Sequence, residues 1–222
     1  MGIGVKIIAL GALILFSNPM REQPSHKPLS YLALGDSYTI GESVAEKERW
    51  PVQLAKALTE KGTPVAPPQI IAVTGWRTDN LKNGIGIAQL EEKYDLVSLL
   101  IGVNNQYQGK PVGEYAVEYE GLLKAAIQLA GGDKHHVFVV SIPDYGFTPF
   151  GKARQETITR ELDGFNAVCK RITESYGATF INITDISRKG LEDPGLVASD
   201  GLHPSGKQYA LWVERILENF HL

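Results

Sequence analysis

The chain is poor in the residues that covalent cross-links and metal clusters require. Of its 222 residues only Cys169 is a cysteine, which excludes an internal disulfide and any Cys-rich zinc site. Cys169 recurs at helical spacing with Ile158, Leu162, Phe165, Ile172 and Tyr176, a pattern of core packing rather than of a nucleophile. Basic blocks are missing too. The formal net charge is −3 and no Lys/Arg stripe appears, so no nucleic-acid partner is expected. Nor does any apolar run reach the roughly twenty residues of a spanning helix. The longest, 7–16, follows Lys6 and stops at Ser17-Asn18-Pro19, as the h-region of a signal peptide does. No clean A-x-A site follows it, and no nearby cysteine marks a lipoprotein. Residues 1–20 are therefore read as signal peptide or N-terminal anchor, 21–29 as a polar linker, and 30–222 as one domain. The expectation is export, periplasmic or secreted, with membrane association through the N-terminal segment left open.

What is present is a regular alternation. Apolar runs stand at 31–34, 69–73, 96–101, 137–142 and 179–183. They are continuous rather than alternating, as in strands covered on both faces. Segments of helical periodicity separate them, following Pro51, following Pro111, around Cys169 and at the C-terminus. Gly62, Gly131-Gly132 and Gly177 stand where such helices should end. Strands alternating with helices predict an α/β fold: a three-layer α/β/α sandwich on a five-stranded parallel sheet. Ligands of such sheets bind beyond the carboxyl ends of the strands. The turns holding Ser37, Gly75 and Gly102-Val103-Asn104-Asn105 should therefore gather at one edge.

A serine after a strand usually caps a helix or closes a turn. To act as a nucleophile, Ser37 needs a base. His26 lies in the linker, His221 is penultimate, and His135-His136 precedes a strand with no other ligand at metal spacing. His203 differs, because Asp200 stands three residues before it. An acid there can fix the tautomer and orientation of an imidazole, though the same pair could simply decorate a turn.

Gly35-Asp36-Ser37-Tyr38, Gly75, Gly102-x-Asn104 and Asp200-x-x-His203 occur in this order over nearly the whole folded part. The set resembles the SGNH-hydrolase family, the GDSL esterases and lipases, and 101–109 and 141–146 look like a bacterial branch of it. Two positions depart from the usual pattern: Asn105 stands for Asp, and Tyr38 for Leu. The resemblance implies a flavodoxin-like fold and hydrolysis of esters or thioesters without cofactor or metal. On it, Ser37 is the nucleophile, His203 the base and Asp200 its orienting acid. The Ser37 and Gly75 N–H groups and the Asn104 amide would form the oxyanion hole. Tyr107, Tyr145, Phe147 and Phe150 are the expected substrate wall, since aromatics there favour an acyl chain. The expected partner is a small-molecule ester, as in a lysophospholipase-like esterase. A carbohydrate O-acetylesterase is the alternative. A phosphate- or flavin-binding module is more distant, because it leaves Asn104 and the Asp200–His203 pair without a role.

Overall fold

The computed structural model describes residues 1–4 and 27–222. The apolar run 7–16 and linker residues 21–26 lie outside the described residues. Among the described residues no helix is long and apolar enough to cross a membrane. The domain starts one residue before the expected boundary. Leu29 pairs with Val65 in an isolated parallel bridge, and its N–H donates to the Pro64 carbonyl at 2.8 Å.

Five strands form the sheet: β1 (Tyr31–Gly35), β2 (Gln69–Ala72), β3 (Leu96–Leu100), β4 (Val137–Val140) and β5 (Thr179–Ile181). Their order is β2-β1-β3-β4-β5, parallel throughout. Every residue of β1, β3 and β4 is buried, as the unbroken apolar runs require of strands covered on both faces. Among the described residues eight α-helices accompany them: α1 (Ser37–Ile40), α2 (Trp50–Glu60), α3 (Thr78–Ile87), α4 (Val103–Tyr107), α5 (Val112–Leu129), α6 (Gln155–Ser175), α7 (Thr184–Ser187) and α8 (Gly206–Asn219).

Right-handed crossovers distribute the longer helices between the two faces. The step from β1 out to β2 puts α2 on one face, and the reversed steps that follow put α3, α5 and α6 on the other. The chain ends by laying α8 against α2. Trp50 of α2 and Phe220, just past α8, meet the Phe138 ring of β4 at centroid distances of 6.2 and 4.9 Å. Across the sheet, Tyr115 of α5 packs on Phe165 of α6 at 4.8 Å. Cys169 sits in this second layer as a free, buried thiol, and burial pushes it up to about 11. It is a core residue.

The order in which strands are added reverses between β1 and β3, and the loops leaving these two strands diverge above that point. Gly35 makes the turn out of β1 feasible. An added Cβ would come within 2.1 Å of Thr39 Oγ1 and 2.6 Å of the Leu100 carbonyl oxygen. The helix that carries Ser37 is thus pressed onto the end of β3 with no space for a methyl group. Gly35→Ala is expected to destabilise the protein by roughly 1–3 kcal/mol, the usual cost of overpacking. Urea unfolding checks this, and an unchanged midpoint would show that α1 has room to shift.

Candidate active site

Ser37 is the first residue of α1, capped by Asp36, whose Oδ1 accepts the Tyr38 N–H at 3.0 Å. The N–H of a first helical residue has no partner within its helix. That of Ser37 finds no acceptor elsewhere among the described residues. Its hydroxyl also makes no hydrogen bond among them and borders a cavity of about 190 Å³. Gly75 borders the same cavity from the turn after β2. Its φ of +86° is what demands glycine, because an added Cβ there would touch nothing within 4 Å. The Gly75 N–H is likewise without an acceptor among the described residues.

Asn104 lies in α4, after β3, and its Nδ2 donates to the Trp76 carbonyl at 2.9 Å. This leaves the second carboxamide N–H for the cavity. The departure at Asn105 does not loosen that turn. Asn105 Oδ1 accepts the Thr78 N–H at 3.2 Å and Nδ2 donates to Thr78 Oγ1 at 2.7 Å. The Thr78 hydroxyl in turn donates to Glu118. An amide supplies both roles at once, so the α3 and α4 turns stay locked.

His203 also lines the cavity. Its Nδ1 lies 2.6 Å from Asp200 Oδ2, and Asp200 Oδ1 accepts the N–H groups of Leu202 and His203 at 2.9 and 3.0 Å. Leu202 and His203 of the same turn therefore fix the carboxylate against the ring. The edge of Tyr38 packs on the imidazole, with centroids 5.6 Å apart, so Tyr38 is a wall of the site. Tyr107, Tyr145 and Phe150 form a triangle of rings 6.2 to 6.3 Å apart on the cavity's rim. Phe147 is a correction. It follows Tyr145 by two in a 3₁₀ turn (Tyr145–Phe147), where successive side chains diverge by a third of a turn. It is half-buried away from the cavity lining.

The model of the GDSL-like lipase/acylhydrolase family matches residues 33–211. The chain belongs to that family. A search of curated proteins gave no match. Among solved structures, the lipase/acylhydrolase from Enterococcus faecalis is similar at 19% identity and a TM-score of 0.65, over 86% of this chain and 94% of that one. Axe2, an acetylxylan esterase from Geobacillus stearothermophilus, is similar at 18% identity and a TM-score of 0.64, covering 86% and 93%. EstA, a psychrotrophic esterase from Pseudoalteromonas sp. solved inhibited by monoethylphosphonate, gives 18%, 0.61, 86% and 95%. At such identities these likenesses establish the fold, a five-stranded parallel α/β sandwich of the GDSL type.

The two acids of this GDSL hydrolase have opposite electrostatics. Partial burial by itself would raise Asp200, but the His203 ring, the His203 and Leu202 N–H groups and the Ser43 hydroxyl outweigh it. They hold the carboxyl well below the usual carboxylate range. Asp36 is fully buried, and burial pushes it up to about 7 against the Tyr38 N–H. Its Oδ2 has no hydrogen-bond partner among the described residues, and the Tyr38 and Gly102 N–H groups offset the burial only in part. The cavity walls Tyr38, Thr74, Val103 and Leu202 and the Asp200 partner Ser43 carried no separate signal in the sequence.

An acid raised on folding keeps an extra proton in the native state between its unfolded and folded values. Stability then falls as pH rises through that window. Relative to Asp36→Asn, the wild type is expected to lose stability from pH about 4 to about 7 and to hold level above it. Urea unfolding of both proteins at pH 5 and 8 measures the difference. A pH-independent gap would show that Asp36 stays ionised throughout.

Proposed function

We propose that the protein is a serine hydrolase of carboxylic esters carrying short acyl chains, acting through an acyl-enzyme on Ser37. One observation carries the reading: an unbonded serine hydroxyl shares a cavity with a histidine whose other nitrogen is held by a carboxylate at 2.6 Å. With Nδ1–H donated to Asp200, Nε2 is the basic nitrogen of His203. It takes the Ser37 proton as Oγ attacks the acyl carbonyl, then gives that proton to the leaving alkoxide. The negative charge on the former carbonyl oxygen meets the N–H groups of Ser37 and Gly75 and the free amide proton of Asn104. Water, deprotonated by the same His203 nitrogen, then releases the acid and regenerates Ser37. Ser37 Oγ and His203 make no direct hydrogen bond in the substrate-free protein, and such contacts commonly tighten only with substrate bound.

The acyl class follows from space and lining. A cavity of about 190 Å³ compares with the roughly 150 Å³ that suffices for benzene, so it has room for an acyl chain of a few methylenes. Val103, Leu202, Tyr145 and Phe150 give it apolar walls suited to a hydrocarbon rather than a sugar hydroxyl face. The sugar O-acetylesterase reading has the similarity to Axe2 in its favour, which is a similarity of fold. Export through the segment 7–16 is part of the proposal and rests on sequence alone.

Each methylene buried should add about 0.8 kcal/mol, nearly fourfold in kcat/KM. Specificity on p-nitrophenyl esters is therefore expected to rise from acetyl to butyryl or hexanoyl and to fall beyond. A steep decline from acetyl onward would assign the site to acetyl esters instead.

A further inference from the structure

Ser43 lies six residues past the nucleophile and 157 before Asp200, and its hydroxyl donates to Asp200 Oδ2 at 2.7 Å. The same oxygen receives His203 Nδ1 at 2.6 Å. Ser43 is also the one non-glycine residue with positive φ among the described residues, at +66°. A side chain in that region crowds its own backbone, and such strain persists only where surrounding contacts impose it. Here they do. Gly41, itself at φ +72°, ends α1, and the N–H groups of Gly41 and Glu42 both donate to the Ser37 carbonyl at 3.0 Å. The Glu42 carboxylate accepts the hydroxyl of Thr74, the neighbour of Gly75. The turn is thus anchored at one end to the nucleophile's own peptide and at its middle to the oxyanion loop.

We propose that Ser43 is a positioning residue for the reaction: it couples the turn behind Ser37 to the triad acid and braces the Asp200 oxygen that faces the imidazole. The inference rests on the triad reading above. Glycine would hold the same turn without strain, yet it would remove the hydroxyl that bonds Asp200 Oδ2 from outside the Asp200–His203 turn. The two backbone N–H groups of that turn bond Oδ1, so on Oδ2 the Ser43 hydroxyl is the partner beside the imidazole. During the reaction His203 becomes positively charged, and the carboxylate must face Nδ1 at that moment. A hydroxyl on the shared oxygen holds it there beforehand, so no reorientation accompanies proton transfer.

Ser43→Gly separates the hydroxyl from the backbone, because it keeps the left-handed turn and removes the donor. It is expected to lower kcat on p-nitrophenyl butyrate by about tenfold, with KM within about twofold of wild type. Its melting temperature should be unchanged or higher. Ser43→Asn, which tolerates this φ and offers an amide N–H, should recover part of the lost kcat. In an Asp200→Ala background, Ser43→Gly should cost nothing further, since the group it acts through is gone. Wild-type kcat in Ser43→Gly, or the same fold-loss with and without Asp200, would overturn the inference while leaving the triad in place. Retained turnover in Ser37→Ala would overturn the triad reading and this inference with it.

Discussion

A parallel sheet delivers the carboxyl ends of its strands to one edge, and everything at the candidate site depends on that constraint. Ser37, Gly75 and Asn104 come from segments far apart in the chain, yet each follows a strand of one sheet. The reversal of strand order between β1 and β3 opens the space between them, and a cavity of about 190 Å³ occupies it. Asp200 and His203 arrive separately, on the turn before α8. That turn is held to the body by α8 packing on α2. Backbone hydrogen bonding and helix packing thus bring the residues of the candidate site together.

Precision within the edge comes from close contacts of small groups. Gly35 lets α1 press on β3, and the Asn105–Thr78–Glu118 relay locks the α3 and α4 turns together. Burial is used in two opposite ways. Asp200 remains partly exposed and richly hydrogen-bonded, which keeps it ionised. Asp36 is sealed beneath the nucleophile with one oxygen unpartnered, so its charge is disfavoured.

The sheet was legible in the sequence because strands covered on both faces are continuously apolar, as the buried β1, β3 and β4 are, and all five runs, including those of the half-buried edge strands β2 and β5, fell on observed strands to within two residues. Long helices were legible for the corresponding reason, their 3.6-residue periodicity. Helix α3 escaped: it carries Gly84 and Gly86 and buries only Thr78, Leu81 and Gly84. Its glycine at 84 accommodates the Trp76 ring, where an added Cβ would sit 2.3 Å from Cη2, and this is a tertiary fact with no periodic signature. Short α1 and α4 exist because the strands before them end against packed neighbours. At the site, spacing pointed to Asp200 and His203 as a pair, and the 2.6 Å contact agrees. Phe147 was misplaced because its 3₁₀ turn sends it away from Tyr145. Ser43 could not be read, since its partner is 157 residues distant and the φ that aims it depends on the anchored turn.

The central claim is that Ser37 Oγ forms the covalent bond to the acyl group. A p-nitrophenyl phosphonate ester reproduces the tetrahedral geometry of that step and, once displaced onto an activated serine, leaves slowly. Peptide-level mass spectrometry after treatment should find one phosphonyl adduct, on Ser37, formed in step with loss of esterase activity. Ser37→Ala should remain unmodified. An adduct on any other residue formed in step with that loss, or full inactivation with Ser37 unmodified, would contradict the account.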